Sequence, residues 1–164
     1  MAERWTAGDA DAMREIGRRL AEELNAGDLV VLSGPLGAGK TTLVQGLGDG
    51  LGVRGPITSP TFVMARVHPS LVGGPPLVHV DAYRLSDWDD LETLDLEATL
   101  DEAVTVVEWG EGLVEGLAPD RIEVGIDRAA GGDDQDGGVR TVEITYVRSH
   151  TGAGVLRRDL RYNA

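Results

Sequence analysis

Between residues 10 and 25 the apolar positions Ala12, Ile16, Leu20 and Leu24 recur every four residues with Arg and Glu between them, a period that predicts an amphipathic helix. "DLVVLSG" breaks this period with a short continuous apolar run, as a buried strand does. Beyond a glycine-rich turn, "TTLVQGLGDGLG" predicts a second helix whose end is marked by repeated glycines. "TFVMARVH" and "LVHVDAYR" read as extended segments joined by the loop "PSLVGGPP", which predicts a hairpin. The acid-rich "SDWDDLETLDLEATLDEA" predicts one or two short helices that turn Leu91, Leu94 and Leu100 inward, and "VTVVEWG" predicts a central strand covered on both faces. Strict alternation sets Ile122, Val124 and Ile126 on one face of "RIEVGID", and Val142, Ile144 and Tyr146 on one face of "VRTVEITYV". These predict two antiparallel strands joined by the polar loop "RAAGGDDQDGG". The expected fold class is α/β: a three-layer sandwich around a mixed, partly parallel central sheet, parallel near the glycine loop and antiparallel at its margins.

Composition narrows this picture. At 164 residues and 41% hydrophobic the chain suits a single domain over residues 1–164 that buries a core without covalent staples, with residues 149–164 as a candidate tail. The absence of cysteine excludes disulfides and thiolate metal sites, and the expected compartment is cytoplasmic. No run approaches the roughly 18 apolar residues of a membrane span, so no membrane partner is expected. The net charge is −13, and between Arg84 and Arg121 there are 12 Asp or Glu and no Lys or Arg. Unaided binding to a nucleic-acid backbone is disfavoured, because that affinity comes from clustered cations. If RNA matters to the chain, another component holds it.

The candidate chemistry lies in "GPLGAGKT", where Gly34, Gly39, Lys40 and Thr41 satisfy G-x-x-x-x-G-K-[ST]. Glycines at this spacing let successive backbone N–H groups turn inward around an anion, and the following helix adds its positive end. The candidate phosphate-binding set is therefore Gly34, Pro35, Leu36, Gly37, Ala38, Gly39, Lys40, Thr41 and Thr42. Lys40 would reach the β- and γ-phosphates, and the Thr41 hydroxyl would ligate Mg²⁺. Such a P-loop needs an acid for Mg²⁺ at the end of a neighbouring strand. Two apolar runs end that way, "LVHVD" at Asp81 and "VTVVE" at Glu108. One would hold Mg²⁺ and the other orient or activate the attacking water, and spacing alone does not divide these roles. In "TSPTF", Ser59 and Thr61 are candidates for a hydroxyl that senses the γ-phosphate. Lys40 is also the only lysine of the chain. An Asn/Thr-Lys-x-Asp guanine-reading loop is therefore impossible, and ATP is favoured over GTP. His79 reads as a structural strand residue.

Taken in order, "LSGPLGAGKTTLVQGL", "ITSPTFVMARVH", "LVHVDAYRL" and "VVEWGEG" resemble the TsaE family (formerly YjeE), small bacterial ATPases required for threonylcarbamoylation of adenosine in tRNA. The resemblance covers residues from about 9 to 127. It implies a P-loop NTPase-like fold and an ATPase that works with TsaB and TsaD and meets tRNA only through them. It further implies that Leu36 to Thr41 bind the ATP phosphates, that Thr41 and Glu108 bind Mg²⁺, that Asp81 is a second essential acid near the γ-phosphate, and that Trp109 is a signature residue with a packing role. The family's adenine contacts fall partly in the late hairpin, where this chain departs in length, and Arg128 or Arg140 is the candidate. The acidic tract from Asp87 to Glu102 becomes a candidate docking face for the partner complex. Two other readings use the same motifs: a small-molecule P-loop kinase, which needs arginine-bearing lids, and a nucleotide-dependent binding module that does not hydrolyse.

Overall fold

The apolar strands assemble into one seven-stranded sheet in the order β1-β7-β6-β2-β5-β4-β3. The computed structural model describes residues 2–60, 64–83, 95–114, 116–128 and 138–148. Along the chain the elements are β1 (Ala2–Ala7), α1 (Ala10–Glu23), β2 (Leu29–Ser33), α2 (Lys40–Leu51), β3 (Ala65–His68), β4 (Leu77–Asp81), α3 (Glu97–Leu100), β5 (Val104–Glu108), β6 (Arg121–Arg128) and β7 (Arg140–Val147). Parallel pairing joins β6 to β2, β2 to β5 and β5 to β4, whereas β3–β4, β6–β7 and β1–β7 are antiparallel. The mixed sheet, parallel in the middle and antiparallel at both margins, agrees with the hydrophobic pattern. Strands buried on both faces read as continuous apolar runs and half-covered strands alternate.

The sheet separates two apolar layers. On one face Val30, Leu32, Leu77, Val104 and Val106 pack with α1 and α2. On the other, Val31, Val78, Val80 and Val107 pack with Leu96, Ala103 and Val114, and Leu100 lies against them. Asp9 caps α1, its side chain accepting from the Ala12 N–H at 2.7 Å, and the helix ends at Glu23, two residues before the limit its periodicity predicts.

Two elements depart from expectation. "AERWTA" carries one large apolar residue and gives no strand signal, yet it forms β1 because β7 offers it an open edge, with Ala2 opposite Thr145 and Ala7 opposite Arg140. Of the repeated glycines only the last marks the end of α2. Gly46, Gly48 and Gly50 lie inside it, and the end falls at Gly52 with φ 71°. Their role is contact. A Cβ on Gly46 would lie 2.0 Å from the Arg14 carbonyl oxygen, and one on Gly17 would lie 2.2 Å from that of Leu43, so α1 and α2 approach backbone to backbone. Gly46→Ala, which in an open helix gains about 1 kcal/mol, is here expected to cost about 3 kcal/mol because a backbone oxygen cannot rotate away. Denaturant unfolding of the variant against the parent measures this.

Thr61, Leu91, Leu94, the acidic residues from Asp87 to Glu92, positions 129–137 of the polar loop and the candidate tail at 149–164 lie outside the described residues. Among the described residues no helix is long and apolar enough to cross a membrane.

Candidate functional site

β2, β4 and β5 are parallel neighbours, so their carboxyl ends emerge on the same sheet edge, where open α/β sheets place their ligands. The ends are tied together by backbone bonds: the Trp109 N–H donates to the Leu32 carbonyl at 3.3 Å and the Ala82 N–H to that of Glu108 at 2.9 Å. From β2 the chain enters the glycine loop through Gly34, whose φ of 152° accompanies a close approach to β6. A Cβ there would lie 2.7 Å from the Ile126 carbonyl oxygen. The loop closes at Gly39, with φ 108° and no side-chain cap for α2. The first-turn N–H groups of α2 are thus presented to the space above the sheet edge, an arrangement suited to an anion.

That space is a cavity of about 300 Å³ lined by Leu36, Gly37, Gly39, Lys40, Thr41, Thr42, Ser59, Asp81, Glu108 and Trp109. The fold therefore gathers nine of the sequence-derived candidates in one place. Gly34 and Pro35 do not line the cavity; their carbonyl oxygens accept from Lys40 Nζ at 2.7 and 3.0 Å. Ala38 is buried beneath the loop. A larger cavity of about 460 Å³, between α1, β1 and β7, includes Trp5, Arg19, Glu23 and Tyr146 and none of the motif residues. Size alone does not mark the site.

The electrostatics are concentrated. Asp81 and Glu108 face each other in register on β4 and β5 and are 5% and 3% exposed. Asp81 Oδ1 accepts from the Tyr83 N–H at 2.9 Å, which fixes its orientation. Lys40 is 7% exposed. Burial pushes its ammonium below the ordinary lysine range, while Glu108, Asp81 and Glu111 pull it back. Its Nζ also lies 4.3 Å from the ring centroid of Trp109, a cation–π arrangement. Trp109 has φ 59°, an uncommon conformation for a bulky residue and one that surrounding structure must impose. Tyr83 meets its ring edge-on at 5.4 Å between centroids.

The donor set fits a small divalent cation held jointly with phosphate. Glu108 Oε1 is buried and accepts no hydrogen bond, and Thr41 shares the cavity with it. Among the described residues no three carboxylates or imidazoles cluster into an all-protein cage. Mg²⁺ does not need one, because it is bound by one or two protein oxygens plus substrate phosphates.

Several contacts were not readable from spacing. Arg128 Nη2 donates to the Leu36 carbonyl and Arg140 Nε to that of Ala38, each at 3.3 Å, so both candidate adenine contacts meet the loop backbone. His79 Nε2 lies 3.3 Å from Glu108 Oε1. The signal that could have found His79 was its position two residues before Asp81 in a strand buried on both faces.

A family model described as "Threonylcarbamoyl adenosine biosynthesis protein TsaE" matches residues 7–135. Similar proteins bear the description "tRNA threonylcarbamoyladenosine biosynthesis protein TsaE". That of Streptomyces coelicolor is 66% identical over 134 residues, which are 81% of this chain and 89% of that protein. That of Mycobacterium tuberculosis is 53% identical over 125 residues, 72% of this chain and 74% of that protein. That of Bacillus subtilis is 35% identical over 144 residues, 88% and 84% respectively. The crystal structure of Bacillus subtilis YdiB superposes with a TM-score of 0.70 at 30% identity, covering 90% of this chain and 87% of that one.

Proposed function

We propose, because this chain belongs to the TsaE family and so serves threonylcarbamoyladenosine biosynthesis on tRNA, that its part there is Mg²⁺-dependent ATP hydrolysis in the cytoplasm, carried out with TsaB and TsaD partners. The observation that carries the reading is the convergence of one buried ammonium, Lys40, and two buried carboxylates in register, Asp81 and Glu108, on the cavity at the glycine loop. A site that binds and does not hydrolyse has no need of two such carboxylates.

In this reading the N–H groups from Leu36 to Thr42 surround the phosphates, and Lys40 exchanges the carbonyls of Gly34 and Pro35 for phosphate oxygens. Thr41 and Glu108 would hold Mg²⁺, which neutralises charge on the β- and γ-oxygens when bound. Asp81, fixed by the Tyr83 N–H, orients the attacking water. Ser59 lines the same cavity and reports the γ-phosphate, with Thr61 as its proposed companion. The absence of any lysine besides Lys40 favours ATP. A net charge of −13 favours indirect contact with tRNA through the partners.

Single-turnover phosphate release with and without TsaB and TsaD tests the reading. The expected result is slow release by the chain alone and release at least about tenfold faster with the partners, in the range that completing a catalytic constellation supplies. Transfer of the phosphoryl group to a small acceptor, or no release in either case, would overturn it.

A further inference from the structure

Leu77, His79 and Asp81 project from one face of β4, and Val104, Val106 and Glu108 from the same face of β5, with His79 opposite Val106 and Asp81 opposite Glu108. Leu77, Val104 and Val106 are core residues packed beneath α1 and α2, so His79 occupies a place in the column where a Leu or Val would pack. It is fully buried and is not among the cavity-lining residues. Glu108 is in the cavity wall, and His79 touches it from the core side. His79 Nε2 and Glu108 Oε1 lie 3.3 Å apart but are not aligned as a hydrogen bond, and neither atom has another partner. Buried polar atoms carry a penalty when unpaired. The two stand close enough to pair with each other, and among the described residues neither has another partner.

We propose that His79 is a positioning residue for Glu108: its Nε2–H donates to Oε1 from the core side and turns the other carboxylate oxygen toward the cavity, where a divalent cation and phosphates would be held. The proposal rests on the functional reading above and deepens it. Outer partners of this kind fix the orientation of a metal-binding carboxylate and alter metal affinity by about ten- to hundredfold when removed. A purely structural His79 would be replaceable by any apolar side chain of similar volume without effect on the cation.

The full-length chain carries the test in two measurements. ADP affinity is titrated calorimetrically against Mg²⁺ concentration for the parent, His79→Leu and His79→Gln. His79→Leu should need about tenfold more Mg²⁺ to reach the same ADP affinity, with Mg²⁺-free affinity unchanged. His79→Gln, whose amide can donate from near the Nε2 position, should restore most of the loss. A leucine variant with parental Mg²⁺ dependence overturns the proposal, as does equal impairment in both variants. The second measurement needs neither nucleotide nor metal. Long-range ¹H–¹⁵N spectra of the parent should show His79 as the Nε2-protonated tautomer, with a signal that moves in Glu108→Ala. An Nδ1-protonated ring, or a signal indifferent to Glu108, overturns the proposal whatever the nucleotide result. A correct tautomer in a chain that binds no ADP would instead confirm the contact and refute the functional reading.

Discussion

Lys40→Met should weaken ATP binding by about a hundredfold and leave the fold at least as resistant to denaturant at neutral pH as the parent. The first effect follows from losing a buried ammonium that would bond to phosphate. Truncating one partner of such a pair costs about 3 kcal/mol, which is about a hundredfold in affinity. The second follows from the lysine's surroundings. Burial lowers its pKa from the ordinary 10.5 more than Glu108, Asp81 and Glu111 raise it, so the charged form is disfavoured in the folded chain relative to the unfolded one. Below the lowered folded value this penalty is fully present. As pH rises from there toward 10.5 the unfolded chain holds more protons than the folded one, and stability increases. Lys40→Met removes both the penalty and that alkaline increment. Denaturant unfolding of both chains at pH 7.5 and pH 10, paired with ATP titration, reads the two effects separately. Parental ATP affinity in the variant would exclude Lys40 from the phosphate site, and a marked loss of stability would show that its bonds to Gly34 and Pro35 outweigh its desolvation.

The parts of the site legible in the sequence are those whose logic is local. The glycine loop is recognisable because the spacing of Gly34, Gly39 and Lys40 is itself the requirement for a backbone anion nest. Asp81 and Glu108 could be placed at strand ends because "LVHVD" and "VTVVE" are continuous apolar runs that stop at an acid. That the two acids face each other in register depends on β4 and β5 being adjacent and parallel, which no local pattern states. The same limit explains β1, which owes its strand conformation to the edge of β7, and Gly46, whose purpose appears only when Arg14 lies against it. Trp109 is a related case. Its residue type suggests packing, and its ring does pack against Lys40 and Tyr83. Its positive φ follows from the junction of three strand ends, where a sequence reading would expect glycine. Arg128 and Arg140 were visible as cations of the late hairpin. Their placement on the Leu36 and Ala38 carbonyls required the hairpin to fold back beside the loop.

Glu108→Gln should separate two properties that a simple loss of function would not. Hydrolysis with Mg²⁺ is expected to fall by about a thousandfold, the scale of removing a group that stabilises developing charge in a water-excluded site. Binding of ATP without Mg²⁺ is expected to tighten, by about tenfold. Asp81 and Glu108 are both buried and adjacent, and Lys40 is the cation that shares their cavity wall. An approaching polyphosphate therefore meets two negative groups at short range. At an effective dielectric of about 20, one such repulsion across several ångströms is worth on the order of 2 kcal/mol, more than enough for the tenfold change. Gln preserves the volume of the side chain, so the packing around His79 and Val106 is retained, its carbonyl oxygen can still accept from His79, and a buried charge is removed. Stability should accordingly not decline. Phosphate release in single turnover and calorimetric titration in chelator provide the two readings. Parental hydrolysis would exclude Glu108 from the mechanism. Weaker Mg²⁺-free binding would mean that the carboxylate contacts the nucleotide through solvent and does not act as a repelling charge.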